Sequence, residues 1–106
     1  MNIIICGAGR VGSTIAKQLS ALSHSITIID QSSEDIQKIS DSMDVKGIVG
    51  MAPFPSVLEK AGGKEADMII AVTRNDEVNM TICQVAHSIF NISKKIARIR
   101  SQEYLN

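Results

Sequence analysis

The sequence predicts an α/β fold, a doubly wound parallel sheet built as a single domain over residues 1–106. Three observations predict it. A short apolar run, Asn2 to Cys6, leads straight into Gly7-Ala8-Gly9-Arg10-Val11-Gly12 and then into a helical pattern. A second apolar run, Ser25 to Asp30, closes on an acid 18 residues beyond Gly12. Apolar runs and amphipathic stretches then alternate to the end of the chain, which requires crossover helices and a parallel sheet. The strand, Gly-x-Gly-x-x-Gly, helix order makes this a Rossmann-like arrangement, with expected strand order 3-2-1-4-5 and a switch point between strands 1 and 4.

Each element has a local reason. Asn2–Cys6 is short and continuously apolar, as in a strand buried on both faces. Gly7 permits the tight turn, Gly9 lets backbone approach a pyrophosphate, and Gly12 lets the helix pack against the strand. The following helix starts with unpaired N–H groups and a partial positive charge, a site for an anion. Arg10 adds a forked cation within the same loop. That helix, Val11 to about Leu22, presents Val11, Ile15, Leu19 and Leu22 as one stripe. Asp30 stands where an acid accepts hydrogen bonds from an adenosine ribose. With no Arg or Lys among Gln31, Ser32 and Ser33 to hold a 2′-phosphate, NAD(H) is favoured over its phosphorylated form. ATP, ADP and AMP carry the same ribose and stay open.

Ser32 caps a helix whose first turn holds Glu34 and Asp35, with Ile36, Ile39 and Met43 facing inward. Val45–Val49 is the third strand, interrupted by Gly47. A loop with two prolines and one or two helical turns over Ser56 to Ala61 lead to Gly62-Gly63. Met68–Val72 is the fourth strand. Thr73 to Glu77 starts the longest helix, to about Phe90, with Val78, Ile82, Val85, Ala86 and Ile89 inward. Thr73 and Asn75 lie at the crevice, and Thr73-x-x-Asp76 also fits a helix cap. Lys95–Ile99 is the last strand, and the remaining seven residues read as frayed.

Composition narrows the partners. Net charge is zero, so nothing points to nucleic acid. No apolar run is long enough to cross a membrane. Met1-Asn2-Ile3 enters the first strand with no basic or cleavable leader, which favours the cytosol. Cys6 and Cys83 are far apart, lack a CxxC partner and read as buried thiols. No metal-ligand or catalytic pattern is present.

The stretches Ile-Ile-Ile-Cys-Gly-Ala-Gly-Arg-Val-Gly (3–12), Ala-Asp-Met-Ile-Ile-Ala-Val-Thr-Arg-Asn-Asp-Glu-Val-Asn-Met (66–80) and Ile-Ala-Arg-Ile-Arg-Ser-Gln-Glu-Tyr-Leu (96–105) resemble the N-terminal nucleotide-binding domain of the TrkA (KTN/RCK) family of Trk-system potassium-uptake proteins. The resemblance implies a regulatory, non-enzymatic domain that binds NAD(H), or alternatively ATP/ADP. It implies a membrane potassium-translocating partner that the domain gates, a cytoplasmic location at the inner face of the cell membrane through that partner, and a homo-oligomer in the full-length form. The expected binding residues are Gly7, Ala8, Gly9, Arg10, Val11, Gly12, Asp30, Gln31, Met51, Thr73, Arg74 and Asn75. Arg98 and Arg100 match the family ending without an assigned role. Two departures stand out. Gly50-Met51-Ala52 replaces Gly-Asp-Ala or Gly-Asn-Gly, so Met51 covers an adenine face by dispersion but accepts nothing from its amino group. The chain also stops before the family's sixth strand, which implies a longer protein, or another chain over the strand 5 edge. The alternatives are a cofactor-binding fragment of an NAD-dependent oxidoreductase, and a remnant fold without ligand.

Overall fold

A computed structural model describes residues 1–105. The elements run β1 (Asn2–Cys6), α1 (Arg10–Ala21), β2 (Ser25–Asp30), α2 (Ser33–Ser42), β3 (Lys46–Val49), α3 (Pro55–Lys60), β4 (Met68–Ala71), α4 (Asp76–Ser88) and β5 (Lys94–Ala97), with 3-10 turns at Gly63–Glu65 and Gln102–Tyr104. The sheet is parallel in the expected order, β3-β2-β1-β4-β5.

Alternation along β1 divides the core in two. Ile3 and Ile5 pack on one face with Ala16, Ile36 and Ile39, beneath α1 and α2. Ile4 and Cys6 pack on the other with Leu58, Ile82 and Ala86, beneath α3 and α4. A sheet covered on both faces has no polar side, which is why its strands read as continuous apolar runs. Cys6 and Cys83 are free thiols in the second layer, and burial pushes both up, away from the thiolate.

Both long helices sit on smaller residues than their patterns suggest. In α1 the buried positions are Gly12 and Ala16, with Ile15 and Leu19 alongside. Val11 (38% exposed) and Leu22 (67%) leave the expected stripe, because one lies at the loop and the other caps the helix past its last packed turn. In α4 the buried positions are Asn79, Ile82 and Ala86, and Ile89 (58% exposed) lies beyond the sheet. Gly47 has a packing reason: a Cβ there would stand 2.6 Å from both Ile36 Cγ2 and Ser40 Oγ, so α2 lies directly on β3.

Asn79 was not foreseen as a core residue. Its side chain makes four hydrogen bonds. Oδ1 accepts from the Thr73 amide (2.9 Å) and the Thr73 hydroxyl (2.7 Å). Nδ2 donates to the carbonyls of Thr73 (3.2 Å) and Arg98 (2.9 Å). One fully buried amide thereby ties together the chain leaving β4 and the chain leaving β5. The α4 cap also differs from the expected Thr73-x-x-Asp76 pattern. Asn75 is the N-cap and accepts from the Val78 amide at 2.9 Å, because Thr73 is engaged with Asn79.

Arg100 to Tyr104 are docked rather than frayed, and Asn106 lies outside the described residues. The Asp76 carboxylate accepts from the amides of Arg100 (3.0 Å) and Ser101 (2.8 Å), and Tyr104 donates to Glu77 at 2.6 Å. β5 is shorter than expected at Ala97, although the Arg98 amide continues the ladder to Ala71 (2.9 Å). Ile96 is exposed on this edge strand.

Two outcomes follow. Asn79→Leu should lower stability by about 3 kcal/mol in urea denaturation, because it strands buried backbone groups of Thr73 and Arg98. The two amides hold the Asp76 carboxyl below the usual carboxylate range. A lowered folded-state value means that the docking is fully supported above the unfolded value near about 4 and is lost as pH falls through the lower one. Hydrogen exchange at the Arg100 and Ser101 amides should therefore be slow at neutral pH, relative to their intrinsic rates, and lose protection as the pH falls through the lowered Asp76 value.

Candidate functional site

A cleft of about 460 Å³ lies across the carboxyl ends of the strands, at the point where the order reverses. Its floor is the loop between β1 and α1. Gly7 adopts φ +116°, and a Cβ there would press to 2.8 Å from the Val72 carbonyl. Gly12 is buried where any Cβ would overlap the Gly7 carbonyl, so α1 seats directly on the turn.

Gly9 is different. Its backbone, φ −76° and ψ −162°, suits any residue, and a Cβ there would meet nothing within 4 Å. It lines the cleft at the N-cap of α1, where the unpaired amides of the first turn lie. Neither backbone conformation nor packing demands glycine at this position.

Asp30 closes β2 and braces this loop. Oδ2 accepts from the Ala8 amide at 2.8 Å, and Oδ1 accepts from the Ser32 amide at 2.8 Å. Ser32 in turn caps α2 by accepting from the Asp35 amide at 3.2 Å. The carboxylate lines the cleft and each oxygen has a second acceptor site free in principle for a hydroxyl. Asp30 therefore has a structural task beyond the one its position in the sequence suggests.

Of the expected site residues, Gly7, Gly9, Arg10, Val11, Asp30, Gln31, Met51, Thr73, Arg74 and Asn75 line the cleft. Ala8 and Gly12 are buried beneath it and shape the loop rather than its surface. Met51 (40% exposed) stands with Ala52 and Pro53 on the β3 side, an apolar wall. Thr73 lines the opposite side, but its hydroxyl is turned to Asn79. Sequence reasoning missed Ser32, Asp35, Val78 and Arg98 on the walls. Ser32 and Asp35 were seen only as parts of a helix start; their closeness to Asp30 was the available signal. Arg98 becomes a wall residue only once β5 is placed beside β4. No His, Lys, Tyr or Cys lines the cleft among the described residues.

Comparison with known proteins agrees with this fold. The profile of the TrkA-N domain family matches residues 3–106. The Trk system potassium uptake protein TrkA of Azorhizobium caulinodans is 51% identical over 105 residues, which are 99% of this chain and 23% of that protein. The protein of the same name from Vibrio alginolyticus is 47% identical over the same shares. The chain thus spans less than a quarter of the length of these relatives. Among solved structures, the Shewanella denitrificans Kef CTD in its AMP-bound form superposes with a TM-score of 0.78 at 29% identity, covering 91% of this chain and 57% of that one. The GsuK channel bound to NAD superposes with a TM-score of 0.75 at 18% identity, over 88% of this chain and 17% of that one, a likeness of fold.

The glycines separate in a stability test. Gly9→Ala should leave the urea midpoint almost unchanged, within about 0.5 kcal/mol. Gly12→Ala should cost several times more, about 3 kcal/mol, because α1 must lift off the Gly7 turn.

Proposed function

The chain belongs to the TrkA-N domain family, and from that premise we propose that it is a regulatory nucleotide-binding domain of a Trk-type potassium uptake system. Its ligand is NAD(H), with ATP or ADP as the alternative. The observation that carries nucleotide binding is Gly9. A glycine that neither backbone conformation nor packing requires, exposed at a helix N-terminus beside an acid at a strand end, suits a pyrophosphate lying against the backbone.

The roles follow from position. The amides at the start of α1 and the Arg10 guanidinium take the phosphates. Asp30 accepts from the ribose hydroxyls, and its bond to the Ala8 amide fixes the loop against them. Met51 and Pro53 cover the adenine by dispersion. Arg74, Asn75 and Thr73 stand toward the rest of the ligand. The AMP-bound Kef domain, at 29% identity, supports the adenosine side of this reading.

The domain regulates and does no chemistry of its own. Several acids and hydroxyls lining the cleft are engaged with the protein: Asp30 accepts from the Ala8 and Ser32 amides, Ser32 accepts from the Asp35 amide, and Thr73 donates to Asn79. Nucleotide acts by binding more tightly to one arrangement of the assembly than to another, which shifts the gating of a membrane potassium-translocating partner. No described helix is long and apolar enough to cross a membrane. The domain works at the inner face of the membrane, as part of a homo-oligomer of the full-length protein.

Calorimetric titration with NADH, NAD, ATP and ADP tests the reading. One of them should bind at micromolar strength. Asp30→Ala should weaken it about 10- to 100-fold, since both a charged acceptor and the loop brace are lost. Gly9→Val should abolish binding while the protein stays folded. No binding by any of the four, or tight binding to the Gly9→Val protein, would contradict it.

A further inference from the structure

The β5 side of the cleft carries a cation with no task in the scheme above. Arg98 lies one residue past β5, and its backbone is held on both sides: the amide donates to Ala71 at 2.9 Å and the carbonyl accepts from Asn79 at 2.9 Å. The side chain is held too. Nη2 donates to the Thr73 carbonyl at 2.7 Å, which fixes the guanidinium across the ends of β4 and β5, in the cleft wall.

The inner nitrogen of the group is unsatisfied. Nε is shut away from solvent without a hydrogen-bond partner, and Arg98 forms no ion pair among the described residues. A half-buried guanidinium has five donors and one permanent charge. Leaving a buried donor unpaired is costly, and folding alone gains nothing from it. Asn79 and the nearby backbone are already paired with one another, and no acceptor for Nε is found among the described residues.

Resting on the nucleotide reading, we propose that Arg98 is a ligand contact that recognises whatever the nucleotide carries beyond its first phosphate. The sheet order sets this division. Asp30 and Met51 serve the β2 and β3 side, the glycine loop lies at β1, and Arg98 lies past β4, at β5. A mononucleotide that ends at its first phosphate fills the β3-to-β1 half and stops short of Arg98. A longer ligand presents acceptor oxygens there, either the second ribose and carboxamide of a dinucleotide or the terminal phosphates of ATP. Arginine suits the position because one arm of the fork holds Thr73 while the others remain for the ligand.

The test is titration of the full chain, wild type, Arg98→Met and Arg98→Lys, with AMP, ATP and NADH, each variant checked by thermal melting. Arg98→Met should bind AMP within about twofold of wild type and lose about 10-fold or more for NADH or ATP, the loss expected for a hydrogen bond to a charged donor. The nucleotide that suffers identifies which of the two oxygen sources reaches Arg98. Arg98→Lys, which keeps a charge and a donor for Thr73, should lie between, and it carries the comparison if the methionine variant unfolds. An equal loss for all three nucleotides would mark Arg98 as structural and overturn the proposal, as would undiminished binding of both larger ones. Wild-type protein that binds none of the three is a different result: it removes the nucleotide reading, and this proposal with it.

Discussion

Where parallel strands end, the ladder stops pairing backbone, and every buried amide and carbonyl beyond that line needs another partner. This constraint shapes the cleft. The chain meets it with two side chains, one on each side of the switch point. Asp30 takes the amides of Ala8 and Ser32 and so joins the exits of β1 and β2. Asn79 takes the amide and carbonyl of Thr73 and the carbonyl of Arg98 and so joins the exits of β4 and β5. The loops between them are fixed before any ligand arrives, which lowers the ordering cost of binding.

The two anchors differ in what they leave available. Asp30 stands in the cleft wall, so the group that organises the loop is also offered to a ligand. Asn79 is fully buried and uses both amide atoms on the protein. It holds Arg98 in place and leaves the guanidinium as the exposed chemistry of that side. The α4 start then links the cleft to the chain's exit. Arg74 and Asn75 line the cleft, while Asp76 and Glu77, next in sequence, hold the segment from Arg100 to Tyr104. A shift of this turn on binding would be felt directly by the segment from Arg100 to Tyr104.

The sheet was legible because its evidence is local: glycine spacing, Asp30 at a strand end and continuous apolar strands. The strand order followed from topology rules and needed no contacts. Side-chain roles set by non-local contacts were not legible. Asn79 sits among Val78, Ile82 and Val85, where an isolated polar residue reads as a solvent-facing position; only the placement of β5 gives it the Arg98 carbonyl. Thr73 fitted a capping pattern, but the competing bond to Asn79 passed the cap to Asn75. Helix stripes overreached at Val11, Leu22 and Ile89 because periodicity continues past the last turn that touches the sheet. The tail read as frayed because its partners, Asp76 and Glu77, lie some 25 residues away in sequence.

The most direct test of a nucleotide lying on the glycine loop is the amide spectrum of the isotope-labelled protein during titration with NADH. The amides of Gly9, Arg10 and Val11 should shift together and saturably, followed by Ala8 and Ser32 as the Asp30 carboxylate takes up the ribose. Shifts confined to another surface, or a spectrum unchanged at millimolar nucleotide, would contradict the assignment of this cleft as the nucleotide site.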